Sequence, residues 1–290
     1  MKTGRYMIVR ILLTVLLTFS MTGYLACSAV TSLARPSVCT SIIKEEKLAE
    51  KVYTALEKDF KEAYNTTAIP PETYMDAITT EWLEAEMCHH TELYMNYING
   101  AESAVYEADF TALEESITAF FYDYAESIDY EPDDVFEEKL SETITNAEKK
   151  ITQRMDAFYM QTLQANGILP KVQKYLPYVT GLSWGLWGVS IVLIGLLVVL
   201  EHGGGWRRIY WAGCGLFGAG ALLTAPCAYI LGTDAISGFA IKEPIVYTAI
   251  TSLLEGALQW FMIKAIVFGA IGLLLIILSV ILNKKQAKAE

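Results

Sequence analysis

Four stretches of the sequence are apolar for long enough to cross a bilayer, and much of the rest repeats apolar positions at helical spacing. Residues 7–30 carry only Arg10, residues 178–200 and 209–231 carry no charge, and residues 261–282 carry only Lys264, near one end. A helix needs roughly 20 such residues to cross about 30 Å of hydrocarbon. A buried helix of that length in a soluble protein would keep a polar face, which these lack. The pattern predicts four transmembrane helices.

Between the first two spans the apolar positions follow a period close to 3.6. Ile42, Leu48, Val52, Tyr53, Leu56, Phe60 and Tyr64 mark one amphipathic helix, which Pro70-Pro71-Glu72 stops while starting another. Trp82, Leu83, Met87, Leu93, Tyr94, Tyr97 and Ile98 mark the next, ending at Asn99-Gly100. Phe110, Leu113, Ile117, Phe120, Phe121, Tyr124 and Ile128 mark a third. Pro132-Asp133-Asp134 opens the longest, with a face of Phe136, Leu140, Ile144, Ala147, Ile151, Met155, Phe158 and Leu163 and a stop at Asn166-Gly167. No segment sustains strand alternation. About 140 residues suffice for one core, so the segment reads as a single bundle of four or five helices. Between the third and fourth spans, Ile245, Val246, Ile250, Leu253, Leu254, Leu258 and Trp260 alternate with Glu255 and Gln259. That is the pattern of a short helix at the interface or tucked against the bundle.

Charge sharpens the picture. The 290 residues are 53% hydrophobic and 19% charged, too apolar for an ordinary soluble domain, yet the net charge is −11. Both facts hold because residues 36–177 concentrate 28 Asp and Glu against 11 Lys and Arg. Between Lys61 and Lys139 there are 20 acids and no Lys or Arg. Such a block belongs to a water-facing domain on a membrane anchor. Lys2, Arg5 and Arg10 precede the first span, Arg207 and Arg208 join the second to the third, and Lys284, Lys285 and Lys288 follow the fourth. The positive-inside rule puts all three clusters in the cytoplasm. The expected fold is an all-α membrane protein, with four transmembrane helices and an extracytoplasmic helical bundle inserted between the first and second. Its expected parts are a cytoplasmic N-terminus and first span (1–34), an external acidic bundle (35–177) and a three-span segment (178–290). That last segment holds a cytoplasmic turn (201–208), an external loop with an interfacial helix (232–260) and a basic tail. The basic start of the first span and the lipoprotein-like Tyr24-Leu25-Ala26-Cys27 near its end also approach a cleavable leader, but the apolar run is long for one.

Two hydrolase fingerprints occur. Gly181-Leu182-Ser183-Trp184-Gly185 fits a nucleophile elbow, and His202-Gly203-Gly204-Gly205 fits an oxyanion-hole motif. An elbow needs a strand, a turn and then a helix, whereas Ser183 falls in the first turns of a membrane helix. His202 lies at the other end of that helix, about 30 Å away. Gly181, Gly185 and Gly188 read instead as a smooth face for close helix contact, and Trp184 and Trp187 as an interfacial belt. Glu86-Met87-Cys88-His89-His90-Thr91-Glu92 is the remaining chemical material. Glu86 with His90, and Cys88 with Glu92, share helix faces at a spacing that can grip a metal. No second ligand pair follows, so these read as exposed polar residues around a cysteine. Five cysteines are no disulfide framework, although the topology permits a Cys39–Cys88 bond. Asn65-Thr66-Thr67 is a glycosylation sequon. No calcium-loop motif is present.

No ionisable residue falls at mid-membrane, where a substrate path would want one. Arg10 and Lys264 sit within snorkelling reach of an interface. The order of parts resembles a group of bacterial membrane proteins, commonest in Gram-positive lineages, with one N-terminal span, a helical external domain and three closing spans. The shared features are Ile69-Pro70-Pro71-Glu72 and the stretch from Glu81-Trp82-Leu83 to Tyr97-Ile98-Asn99-Gly100. The resemblance implies a bacterial plasma membrane and brings no activity, ligand or catalytic residue. The expectation is a non-enzymatic interaction or scaffold protein, with no catalytic residue, metal or cofactor. Its expected partners are the lipid bilayer, an envelope or membrane protein met by the external domain, and a second copy met through the glycine-rich spans, but not nucleic acid. An oligomeric transport or channel component is the alternative. A metal-dependent activity around Cys88, His89 and His90 comes last.

Overall fold

The structure is a computed structural model that describes residues 2–200 and 208–289. Its helices run α1 (Lys2–Leu33), α2 (Pro36–Glu45), α3 (Leu48–Thr67), α4 (Pro71–Met75), α5 (Thr80–Ile98), α6 (Thr111–Ser127), α7 (Asp134–Met155), α8 (Met160–Ala165), α9 (Ile168–Leu200), α10 (Tyr210–Gly232) and α11 (Pro244–Ala289). Among the described residues there is no strand. The chain forms two compact units. One, here the span unit, takes Met1–Ala34, Lys174–Ala240 and Leu253–Glu290; the other, the polar unit, takes Arg35–Gln173 and Ile241–Ser252.

The span unit holds the apolar parts of α1, α9, α10 and α11, each long and apolar enough to cross a membrane. The chain is thus a multi-pass membrane protein by length and composition. Two of these helices overrun the expected spans. Helix α9 starts at Ile168 rather than 178 and continues through Pro177. Helix α11 is unbroken for 46 residues, about 70 Å at 1.5 Å per residue. The short helix expected over 244–260 is therefore the first part of the fourth span's own helix. No proline follows Pro244 and only Gly256 precedes Trp260, so nothing local stops it.

Glycines set the packing of α10. A Cβ on Gly215 would meet the Leu17 side chain at 2.7 Å, and one on Gly220 would meet Ala265 O and Gly269 Cα at 2.6 Å. Helix α10 thus approaches α1 with one face and α11 with another. Thr18 Oγ1 adds a bond to Gly215 O at 3.2 Å. Helices α1 and α9 meet through Ser20 Oγ, which donates to Leu186 O at 2.9 Å and accepts from Ser190 Oγ at 3.0 Å. Of the two glycine sets that the sequence offers for close packing, Gly213, Gly215, Gly218 and Gly220 of α10 make it, whereas Gly181, Gly185 and Gly188 of α9 have nothing within 4 Å of a built Cβ. Helix periodicity marks a smooth face but not whether a neighbour uses it. Gly220→Ala will therefore cost about 2 kcal/mol by overpacking, read as a lower melting temperature in detergent. Gly181→Ala will be neutral or slightly stabilising, since alanine favours helix; equal losses at both positions would refute this packing.

The polar unit is built from amphipathic helices, two of which break where the pattern alone predicts continuity. The stretch from Ile42 to Tyr64 divides at Lys47, which takes a left-handed φ of 50° between α2 and α3. An unbroken helix would set Leu48 and Ala49 about a third of a turn away from Ile42 and Ile43. The turn brings both pairs into the core. The expected longest helix likewise ends at Met155, with α8 starting afresh at Met160. Met155, Asp156, Ala157 and Phe158 are all buried, and four successive residues cannot share one helix face. Irregular backbone buries all four. The start expected at Asp133 forms, its Oδ1 accepting from Phe136 N at 2.9 Å, and Thr79 Oγ1 caps α5 in the same way, accepting from Trp82 N at 3.1 Å.

Residues 241–252 complete this unit. Ile245, Val246 and Ala249 are buried, and Ser252 Oγ donates to Glu46 Oε1 at 3.0 Å. Arg154 of α7 forks onto Asp59 of α3, with Nε–Oδ2 at 2.8 Å and Nη2–Oδ1 at 3.0 Å, and reaches Glu243 Oε1 with Nη1 at 2.7 Å. One guanidinium joins three segments far apart in sequence.

Candidate functional site

Helix α5 presents Leu83, Met87, His90, Thr91, Tyr94 and Ile98 to the core, the residues at three- and four-residue steps that share a helix face. His90 is only 1% exposed, so it is a core residue and not the surface residue expected from its polar neighbours. Cys88 and His89 are rotated away from it by about 100° per residue.

The irregular segment 101–110 lays Tyr106 across this face. Its hydroxyl donates to Glu86 Oε2 at 2.9 Å, and its ring meets His90 edge-on with centroids 4.7 Å apart. Tyr94 covers the imidazole at 4.8 Å. Gln161 Nε2 lies 3.3 Å from His90 Nε2. Burial pushes the His90 imidazole down from 6.5 to about 4, with nearby His89 adding to the effect. A neutral ring then accepts the Gln161 amide proton at Nε2 and carries its own on Nδ1.

Asp156 lies in the same network. Its carboxylate accepts from Met160 N at 2.6 Å and Gln161 N at 3.0 Å, fixing the start of α8. Burial pushes its carboxyl up from 3.8 to about 6, against the lowering effect of those two amide bonds. Burial also raises the Tyr94 phenol, with the Asp156 charge adding to it. Burial and the Glu86 bond raise Tyr106.

The chemistry available here is limited. Glu86 and His90 share a face, as their spacing predicts, but Tyr106 and Gln161 occupy them. Among the described residues no three His, Cys, Asp or Glu side chains come together to hold a metal ion. The Cys88 thiol is half-buried and raised by that burial, the opposite of an activated thiolate. Cys39 and Cys88 are both free thiols, so the disulfide that topology allowed is not formed. Ser183 lies inside α9 with helix on both sides, so the strand and turn of an elbow are missing. The His202–Gly205 motif lies outside the described residues.

Sequence reasoning missed Asp156, Gln161, Tyr106 and the Arg154 clamp. One signal was available: Arg154 is the lone arginine between Arg35 and Arg207 in an acidic segment. Two open grooves lie among the described residues. One of about 450 Å³ in the span unit is lined by Asp234, Glu255 and Gln259 over Met262 and Ile263. The other, of about 280 Å³ in the polar unit, lies by Trp82 and Phe110. Comparison with known proteins returns no matching family model, no similar curated protein and no similar solved structure, so function is argued from this chain's own residues.

Proposed function

We propose that this chain is an interaction protein of a bacterial plasma membrane, held by four spans with both termini in the cytoplasm. Its polar helical unit lies outside and binds another envelope protein without catalysing a reaction. The observation that carries this reading is how the unit uses its buried ionisable groups. His90 and Asp156 are consumed in hydrogen bonds that hold the core, which leaves the acidic surface as the part open to a partner. The side of the membrane is supported by the basic flanks, Arg208, Lys284 and Lys285, against the acidic unit.

An impermeant amine-reactive cross-linker on intact cells tests side and partner together. The full chain will join to another envelope protein through surface lysines such as Lys58, which is exposed. Cross-linking only after lysis would overturn the outer placement. The same products from a chain lacking residues 35–173 would overturn the role of the polar unit.

A further inference from the structure

Helices α6 and α7 form a hairpin whose two ends differ. Away from the turn, Leu113 and Ile117 of α6 and Leu140, Ala147, Ile151 and Met155 of α7 are buried. Near the turn only Ala125 is. Yet the turn end is the more aromatic. Tyr122, Tyr124, Ile128, Tyr130 and Val135 are 42–59% exposed there.

Their rings are already arranged. Phe136 is the hub, with ring centroids 5.2 Å from Tyr122 and 6.3 Å from Tyr130. The Tyr122 hydroxyl donates to Glu137 Oε1 at 2.7 Å. Exposed aromatic rings gathered at one end of a hairpin mark an interaction site, and the Tyr122 and Tyr130 rings, held against Phe136, cost little to order on binding.

Charge decides what fits it. Residues 114–138 hold ten carboxylates and no lysine or arginine. Asp123, Glu126, Asp129 and Glu131 have no ion-pair partner among the described residues. A second copy would bring the same charge and be repelled, as would an anionic lipid surface. A neutral apolar partner would strip water from the carboxylates without replacing it. A cationic partner meets both demands, because guanidinium groups stack on tyrosine faces and pair with carboxylates. We propose that the turn end of the α6–α7 hairpin docks a basic amphipathic segment of a partner protein. This rests on the interaction reading above and adds where the partner binds and what chemistry it carries.

The test uses the full chain in nanodiscs of zwitterionic lipid. The probe is a fluorescein-labelled synthetic helix with arginine and lysine on one face and leucine and tryptophan on the other. Anisotropy will show saturable binding that weakens as salt rises from 50 to 200 mM. Tyr122→Ser with Tyr130→Ser will weaken it about tenfold or more, as loss of a central anchor does. Asp129→Asn with Glu131→Gln will weaken it and flatten its salt dependence. All four side chains are exposed, and circular dichroism confirms that each variant is folded. Glu84→Gln with Glu92→Gln on α5 removes the same charge elsewhere and will leave binding unchanged.

Equal loss from the hairpin and α5 variants would reduce the effect to net charge and overturn the proposal. So would hairpin variants that bind as the parent does, hairpin-dependent self-association, or hairpin-dependent binding to phosphatidylglycerol vesicles. If peptide binding follows the hairpin while cross-linking on intact cells fails, the outer placement falls and the docking surface stands.

Discussion

Residues 35–173 expressed alone will melt well below the same fragment supplied with a synthetic peptide of residues 241–252. The amphipathic helices of the polar unit lie within the fragment, but its core does not. Ile245 and Val246 are buried, and burying such side chains is worth about 1.5–3 kcal/mol each. Together they amount to about 4 kcal/mol, a large part of the roughly 5–15 kcal/mol that holds an ordinary domain. Arg154 also loses Glu243, one of its two carboxylate partners. Added peptide will raise the melting temperature saturably, as any ligand of the native state does. Moderate salt will raise it as well, by screening repulsion among the unpaired acids. A fragment whose melting ignores the peptide would show that 241–252 is not part of the core.

The second large effect is a pair of opposing pH dependences. His90 ionises near 6.5 when unfolded and at about 4 when folded. Between those values the unfolded chain holds a proton that the folded one lacks, so this group's contribution falls on acidification from 6.5 to 4. Asp156 ionises near 3.8 when unfolded and at about 6 when folded. Here the folded chain holds the extra proton, so its contribution rises on acidification from 6 to 3.8. Each amounts to about 3 kcal/mol at 1.36 kcal/mol per pH unit, and over their shared window they nearly cancel.

Substitution uncovers each one. His90→Gln leaves the Asp156 slope, so relative to wild type the variant gains stability between pH 6 and 4. Asp156→Asn leaves the His90 slope, so that variant loses stability over the same range. Denaturant midpoints from pH 4 to 6.5, taken as differences from wild type, remove the background of surface carboxylates. Curves parallel to wild type would mean that neither group is buried as described.

Much of the fold was legible in one dimension. A run of roughly 20 apolar residues is a property of consecutive positions, and the bilayer asks for nothing more. All four spans were found that way. The helix start at Asp133 was readable for the same reason, since a capping side chain reaches only two or three residues ahead. The hairpin's acidic and aromatic content also lies in plain sequence, but its exposure does not.

Tertiary structure decided the rest, because burial depends on partners that periodicity does not name. His90 is buried because Tyr106 and Gln161, 16 and 71 residues away, enclose it. The breaks at Lys47 and Asp156 exist because a rigid helix cannot turn all the apolar groups there toward one core. The glycines of α10 pack tightly while Gly181, Gly185 and Gly188 of α9 stay open, a choice made by which face of each helix meets a neighbour. Arg154, Asp59 and Glu243 meet across gaps of 95 and 89 residues. The sequence contains those three residues, but only folding brings 241–252 to the bundle and turns them into a clamp.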